Sequence, residues 1–249
     1  QKYGLPKKCS KSLFLVMLPF LGLIKLIPKV RRFTTLSVQI QDWIASFYMR
    51  KCDVLISLSG FITAVEKSKK DGSIIILERG SKHILEQKNI LDNIPSLKGK
   101  NNVPDFFVNR ELKGYQLADY ISIASQHVKD SLIKHGISDN KLFVNPYGVD
   151  LEMFKPLPDV KKDYDVIMVG GWSYRKGCDL IIDAINRLEL NFLHVGSIVD
   201  IAFPDNPFFT HVDSVDQKEL INYYNKTKIF ILPSREEGLV MVQMQAVSC

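Results

Sequence analysis

The feature that most constrains this chain is an alternation. Short apolar runs, each closed by Gly, Pro or Ser, are separated by stretches whose apolar residues recur at helical spacing. Asp53–Ser59, Ser73–Ser81, Asp119–Ser125 and Lys141–Asn145 read as strands in the first half. Asp165–Val169, Asn191–Ser197, Phe209–Val212 and Ile229–Leu232 read as strands in the second. Between them, helices are predicted over 36–49, 61–70, 109–117, 126–135, 178–188 and 216–225, the last with Asp216 and Glu219 at capping-box spacing. Strand and helix in strict turn predict parallel sheets covered by helices. The final run, Ile229–Leu232, is apolar throughout, the pattern of a strand buried on both faces. Two prolines and a charged stretch at Pro156–Asp163 break the pattern and mark a domain boundary, giving domains over 1–157 and 158–249.

Composition narrows the class. With 46% hydrophobic and 24% charged residues the chain can bury a core. Cys9, Cys52, Cys178 and Cys249 are scattered without metal-ligand spacing, which points to reduced thiols and a cytoplasmic setting. Residues 1–50 hold nine Lys or Arg against the single acid Asp42, whereas the remainder is slightly acidic. No nucleic-acid recognition motif accompanies that basic segment. The apolar stretch Leu13–Ile24 is interrupted by Pro19 and Gly22 and is too short to span a bilayer. Two readings of 7–32 stand: a buried segment with a basic rim, and a patch resting on anionic lipid at the inner membrane face. The chain starts without Met and stops inside a predicted helix, so both domains are expected to be incomplete.

Candidate chemistry sits at strand ends. After Asp165–Val169 come Gly170, Gly171, Arg175, Lys176 and Gly177. Glycines admit a ligand close to the backbone, a helix start offers N–H groups, and the two cations favour an anion such as a diphosphate. The spacing is not that of a Walker loop. After the last strand come Glu236, Glu237 and Gly238, where Glu237 can accept hydrogen bonds from sugar hydroxyls or cap the helix that follows. Glu78, Arg79, Ser81 and His83 follow the second strand, either as an exposed charged turn or as a wall facing an acceptor, with His83 as donor or proton relay. The five histidines form no HxxxH pair, and no metal site is expected.

Four stretches in order, NPYGVDLEMFKP (145–156), VGGWSYRKG (169–177), VDSVDQKELINYYNKTKIFILPS (212–234) and EEGLVMVQMQAVSC (236–249), resemble the retaining glycosyltransferases of family 4. The resemblance covers the second half continuously and is looser over 57–70 and 76–84. It implies the GT-B fold, two Rossmann-like parallel-sheet domains facing a cleft. It also implies metal-independent transfer of a sugar from a nucleotide-diphosphate donor to an acceptor hydroxyl with retention, as in polysaccharide or glycoconjugate synthesis. In that family a Glu contacts the donor sugar and a second Glu, eight positions on, holds the ribose. The first position is Glu237 here, and the second is Gln245, which keeps an acceptor oxygen but loses the charge. The family's Arg after the first glycine is replaced by Gly171, whereas its Lys matches Lys176, preceded by Arg175.

The resemblance therefore implies Glu237, Lys176 and Arg175 as catalytic, and Gly170, Gly171, Gly238, Leu239 and Gln245 as donor-binding. The acceptor, a carbohydrate or a lipid-linked sugar, is expected on the side of Glu78–His83, and no cofactor is expected. An epimerase-like GT-B enzyme and a non-catalytic nucleotide-sugar-binding paralogue are the alternatives.

Overall fold

The computed structural model describes residues 31–249. The stretch 13–24 and all but the end of the basic segment 7–32 lie outside the described residues. The described residues divide into two compact units, 31–78 with 104–121, and 79–103 with 122–249.

In the first unit, helix α1 (Arg31–Tyr48) precedes β1 (Val54–Leu58), α2 (Ile62–Lys70) and the start of β2 (Ile74–Arg79). Helix α4 (Asp105–Leu117) returns to the unit after an excursion. Strands β1 and β2 pair in parallel from Val54 with Ile74 to Leu58 with Glu78. Asp42 of α1 is fully buried and caps α2 from outside, accepting from Thr63 N at 2.8 Å and Ala64 N at 3.0 Å. Arg110 of α4 completes the site with an ion pair to the same carboxylate. Burial works to raise the Asp42 pKa, but these hydrogen bonds outweigh it and hold the carboxyl below its ordinary value.

The second unit begins with α3 (Ile84–Asp92), a helix that the strand–helix pattern did not predict. Strand β3 (Tyr120–Ile123) has its first two residues in the first unit, and α5 (Gln126–Lys134) and β4 (Leu142–Val144) follow in the second. Strands β1 to β4 lie in one sheet in sequence order. Beyond Pro156–Asp163 come β5 (Tyr164–Val169), α6 (Cys178–Leu188), β6 (Phe192–Val195) and β7 (Phe209–Val212). They are followed by α7 (Leu220–Asn225), β8 (Thr227–Phe230) and α8 (Met241–Val247). The second sheet has order β7-β6-β5-β8 with every pairing parallel.

Strand alternation buries β5 on both faces. Val166 and Met168 pack with Trp172, Phe192, Ile181 and Ile185, while Ile167 and Val169 pack with Leu193, Val195, Phe154 and Tyr224. Each such side chain contributes roughly 1.5–3 kcal/mol of burial. Helix α6 forms because Ile181 and Ile185, one turn apart, share its buried face, and it ends where Glu189 enters the left-handed region at φ 51°.

Two expectations are corrected. Ile229 is 55% exposed, because among the described residues β8 pairs only with β5 and forms the sheet edge. The predicted helix 216–225 is a 3-10 turn, Gln217–Glu219, leading into the six-residue α7. Asp216 caps that turn by accepting from Lys218 N at 3.2 Å. Among the described residues no helix is long and apolar enough to cross a membrane.

Candidate functional site

The site lies within the second unit, where the turn after β5 meets the turn after β8. Gly177 makes the first turn possible: it holds φ 74° as the N-cap of α6, and a Cβ there would run into the Pro233 carbonyl. The two turns are stitched by Arg235, whose amide donates to Arg175 O at 2.9 Å. The Arg235 guanidinium grips Asp179 with two hydrogen bonds of 2.7 and 2.8 Å. That fork holds the Asp179 carboxyl below its usual range.

The turns bring the predicted cations and acid together. Lys176 Nζ forms an ion pair with Glu237 Oε1, and Arg175 Nη1 reaches the same oxygen at 3.2 Å. Arg175 Nη1 also donates to the Glu236 carbonyl at 3.1 Å. Two positive groups thus converge on one carboxylate oxygen at the carboxyl ends of neighbouring parallel strands, the place where open α/β sheets bind ligands. The backbone contributes less than the glycines implied. The amides of Trp172, Lys176, Gly177 and Cys178 all donate inside the protein and are not available to an anion. Likewise α8 starts at Met241, and Gly238 and Leu239 lie in the turn ahead of it rather than at a helix N-terminus.

Glu236 is the residue that sequence reasoning passed over. It is 1% exposed, accepts from Gln87 Nε2 of α3 at 3.1 Å, and lies 3.5 Å from Arg175 Nη1. Its Oε1 has no hydrogen-bond partner among the described residues. Gln87 in turn accepts from Arg79 at 3.0 Å. An acid adjacent to Glu237 was the only sequence signal for Glu236; for Gln87 there was none, since α3 itself was unread.

The remaining predicted residues are spread around this centre. Gly238 touches Gly80 so closely that a Cβ would strike the Gly80 carbonyl. Ser125 and His127, at the start of α5, hold the same turn through the Gly238 carbonyl at 3.2 Å and the Glu237 carbonyl at 2.9 Å. Ser81 adjoins Gly80 beside this contact. His83 is buried and caps α3, its Nδ1 accepting from Leu85 N at 3.3 Å while the ring stacks on His135. Burial, with His135 and Arg79 nearby, pushes its pKa down to about 4, so the ring is neutral at pH 7. Glu78 is exposed and belongs to the first unit. Gln245 is buried on α8, accepting from Tyr224 Oη at 3.3 Å. Gly170 is tied to the sheet by His194, whose Nε2 lies 2.8 Å from its carbonyl oxygen, and Gly171 follows in the same turn. Among the described residues no group of three or more His, Cys, Asp or Glu is placed to hold a metal.

Two parallel α/β sheets of this order are the fold of the GT-B glycosyltransferases. Solved structures bear this out. Sucrose-phosphate synthase of Thermosynechococcus elongatus superposes with a TM-score of 0.65 at 14% identity, over 90% of this chain and 61% of that one. Anabaena HepE, solved in complex with UDP, gives a TM-score of 0.60 at 14% identity, over 86% and 61% of the two chains. Sequence relatives agree in name. An uncharacterised glycosyltransferase of Methanocaldococcus jannaschii is 27% identical over 142 residues, 53% of this chain and 38% of its own length. A phosphatidylinositol N-acetylglucosaminyltransferase subunit of Arabidopsis thaliana is 32% identical over 176 residues, 62% of this chain and 38% of its own. The chain therefore spans about two fifths of the length of these relatives. No protein-family model matches it.

Proposed function

We propose that the chain is part of a retaining glycosyltransferase that moves a sugar from a nucleotide-diphosphate donor to an acceptor hydroxyl without a metal ion. The observation that carries this reading is the convergence of Arg175 and Lys176 on a single anionic oxygen at the strand ends. In the reaction the bond between the sugar's anomeric carbon and the diphosphate breaks, the acceptor oxygen bonds that carbon, and the hydroxyl proton leaves with the diphosphate. Charge develops on the departing diphosphate, and Arg175 and Lys176 stabilise it electrostatically, the role a divalent cation plays elsewhere. Glu237 orients the donor sugar, Gln245 the ribose, and Gly170, Gly171, Gly238 and Leu239 allow close approach of the donor.

The names of the relatives and the UDP held by HepE support a nucleotide-sugar donor. The Arabidopsis relative's name supports a lipid-linked acceptor, and with it a cytoplasmic protein resting on the membrane through 7–32. Arg79, Ser81 and His83, with Glu78, are assigned to the acceptor side. Lys176→Met is expected to weaken UDP binding at least about tenfold, since a charge-assisted contact contributes roughly 1.5–3 kcal/mol. Calorimetry showing equal UDP affinity in the variant refutes the assignment.

A second reading, a nucleotide-sugar-binding protein without transfer, is favoured by Gln245, which is buried and uncharged where the family keeps an acid. Transfer assays with a Gln245→Glu variant separate the two: activity in wild type excludes the second reading, and activity only in the variant supports it.

A further inference from the structure

We infer that Glu237 is an internal anion that occupies the diphosphate position whenever no donor is bound, so that donor binding and product release proceed by exchange with its carboxylate. This rests on reading Arg175 and Lys176 as the diphosphate site.

Three observations carry it. Both cations meet the Glu237 carboxylate at the same atom, Oε1, and not at its two oxygens separately. A terminal phosphate oxygen has the same acceptor character and charge, and it meets the same two groups. The main chain that carries this carboxylate is held in place independently of it. The Glu237 carbonyl contacts His127, the next carbonyl accepts from Ser125, and the Glu236 carbonyl accepts from Arg175. The backbone of the turn is thus fixed, and the Glu237 side chain is the part free to swing. Finally, the cations are partly covered, with side chains 36% and 11% exposed for Arg175 and Lys176, and while Arg175 also has Glu236 at 3.5 Å, Glu237 is the one acid paired with Lys176 among the described residues.

Exchange has a direct use. A diphosphate held by two cations alone leaves slowly after transfer; a tethered carboxylate that rebinds the same cations competes with it and speeds release. Arrival of the donor phosphate displaces the carboxylate from the cations, and only then can Glu237 reach the donor sugar. Phosphate recognition and sugar recognition are therefore coupled through one side chain.

The test compares wild type, Glu237→Gln, Glu237→Ala and the double variant Arg175→Met/Lys176→Met, the last both alone and combined with Glu237→Gln, using the full chain. UDP, pyrophosphate and uridine are titrated by calorimetry, and UDP release is followed by stopped flow. Loss of the competing carboxylate is expected to tighten UDP and pyrophosphate by a common factor of roughly three- to tenfold, the scale of one or two partly exposed ion pairs. Uridine binding stays unchanged and UDP release slows by a similar factor. A purely structural Glu237 predicts weaker binding instead. Unchanged or weaker UDP binding in Glu237→Gln and Glu237→Ala, with unaltered thermal midpoints, overturns the inference. A gain that survives in the Arg175→Met/Lys176→Met background also overturns it, since general repulsion then explains the effect. If neither UDP nor pyrophosphate binds any form, the diphosphate reading of the site fails first.

Discussion

Replacing Gln87 by Leu tests the least expected contact in the site. Among the described residues, the Gln87 amide supplies the one side-chain hydrogen bond under 3.5 Å that the Glu236 carboxylate receives, at 3.1 Å, and Arg175 stands farther off at 3.5 Å. Glu236 is 1% exposed and its Oε1 is already without a partner among the described residues, so water offers little replacement. Leu at 87 leaves a buried charge with only the longer ion pair, a loss of about 2 kcal/mol, within the range for a buried acceptor stripped of its donor. For a unit of this size that corresponds to a fall of roughly 4–8 °C in the thermal midpoint. Calorimetric and urea unfolding at pH 7 read it directly. Gln87→Leu/Glu236→Leu removes donor and charge together and should regain about 1 kcal/mol over Gln87→Leu, a coupling that distant sites would not show. If Gln87→Leu lies within about 0.5 kcal/mol of wild type, or the double variant is no better, Glu236 is solvated and does not depend on Gln87.

Burial and charge set three further outcomes. Asp42→Ala strands Arg110 and uncaps α2, and should cost about 3 kcal/mol in urea unfolding. Since the folded pKa of Asp42 is depressed, its contribution is present above the unfolded value and disappears as pH falls through the folded one, a loss that Asp42→Ala would not show. His83 and His194 are both pushed down to about 4 by burial, so on acidification the unfolded chain takes up protons that the folded one refuses. Stability should fall as pH drops from about 6.5 toward 4, by up to roughly 3 kcal/mol per ring, and a flat urea midpoint between pH 7 and 5 would contradict this. The Cys178 thiol is fully buried and raised to about 11 by that burial, so at pH 8 iodoacetamide should label Cys52 in the native protein and Cys178 only after unfolding, as read by mass spectrometry.

The strands were legible because each is an apolar run ended by a turn residue, and Cys178–Leu188 was legible to the residue because Ile181 and Ile185 mark its face. Arg175, Lys176 and Glu237 were legible as residues of turns that follow strands, and it was the resemblance that placed them at one site. Helix Ile84–Asp92 was not, because its apolar residues Ile84, Leu85, Ile90 and Leu91 are paired in sequence and mark no single stripe. Glu236 was equally hidden. Its burial comes from Gln87, 149 residues away, and no local pattern encodes a partner at that separation. The exposure of Ile229 was hidden for the opposite reason: composition marks a strand as apolar but not whether it closes the edge of a sheet.

The meeting of Gly80 and Gly238 has a consequence for how this region can vary. Most contacts in a protein are written in side chains and can be renegotiated, one residue growing as its neighbour shrinks. Here two main chains touch, and neither position has a group left to give up. The turn that carries both glutamates is therefore spelled by what Gly238 lacks: a Cβ there meets main chain, whereas one at Gly80 would meet the Tyr147 hydroxyl, and no compensating substitution for Gly238 exists. Change can enter only by moving backbone, which would carry Glu236 and Glu237 away from Arg175 and Lys176 together.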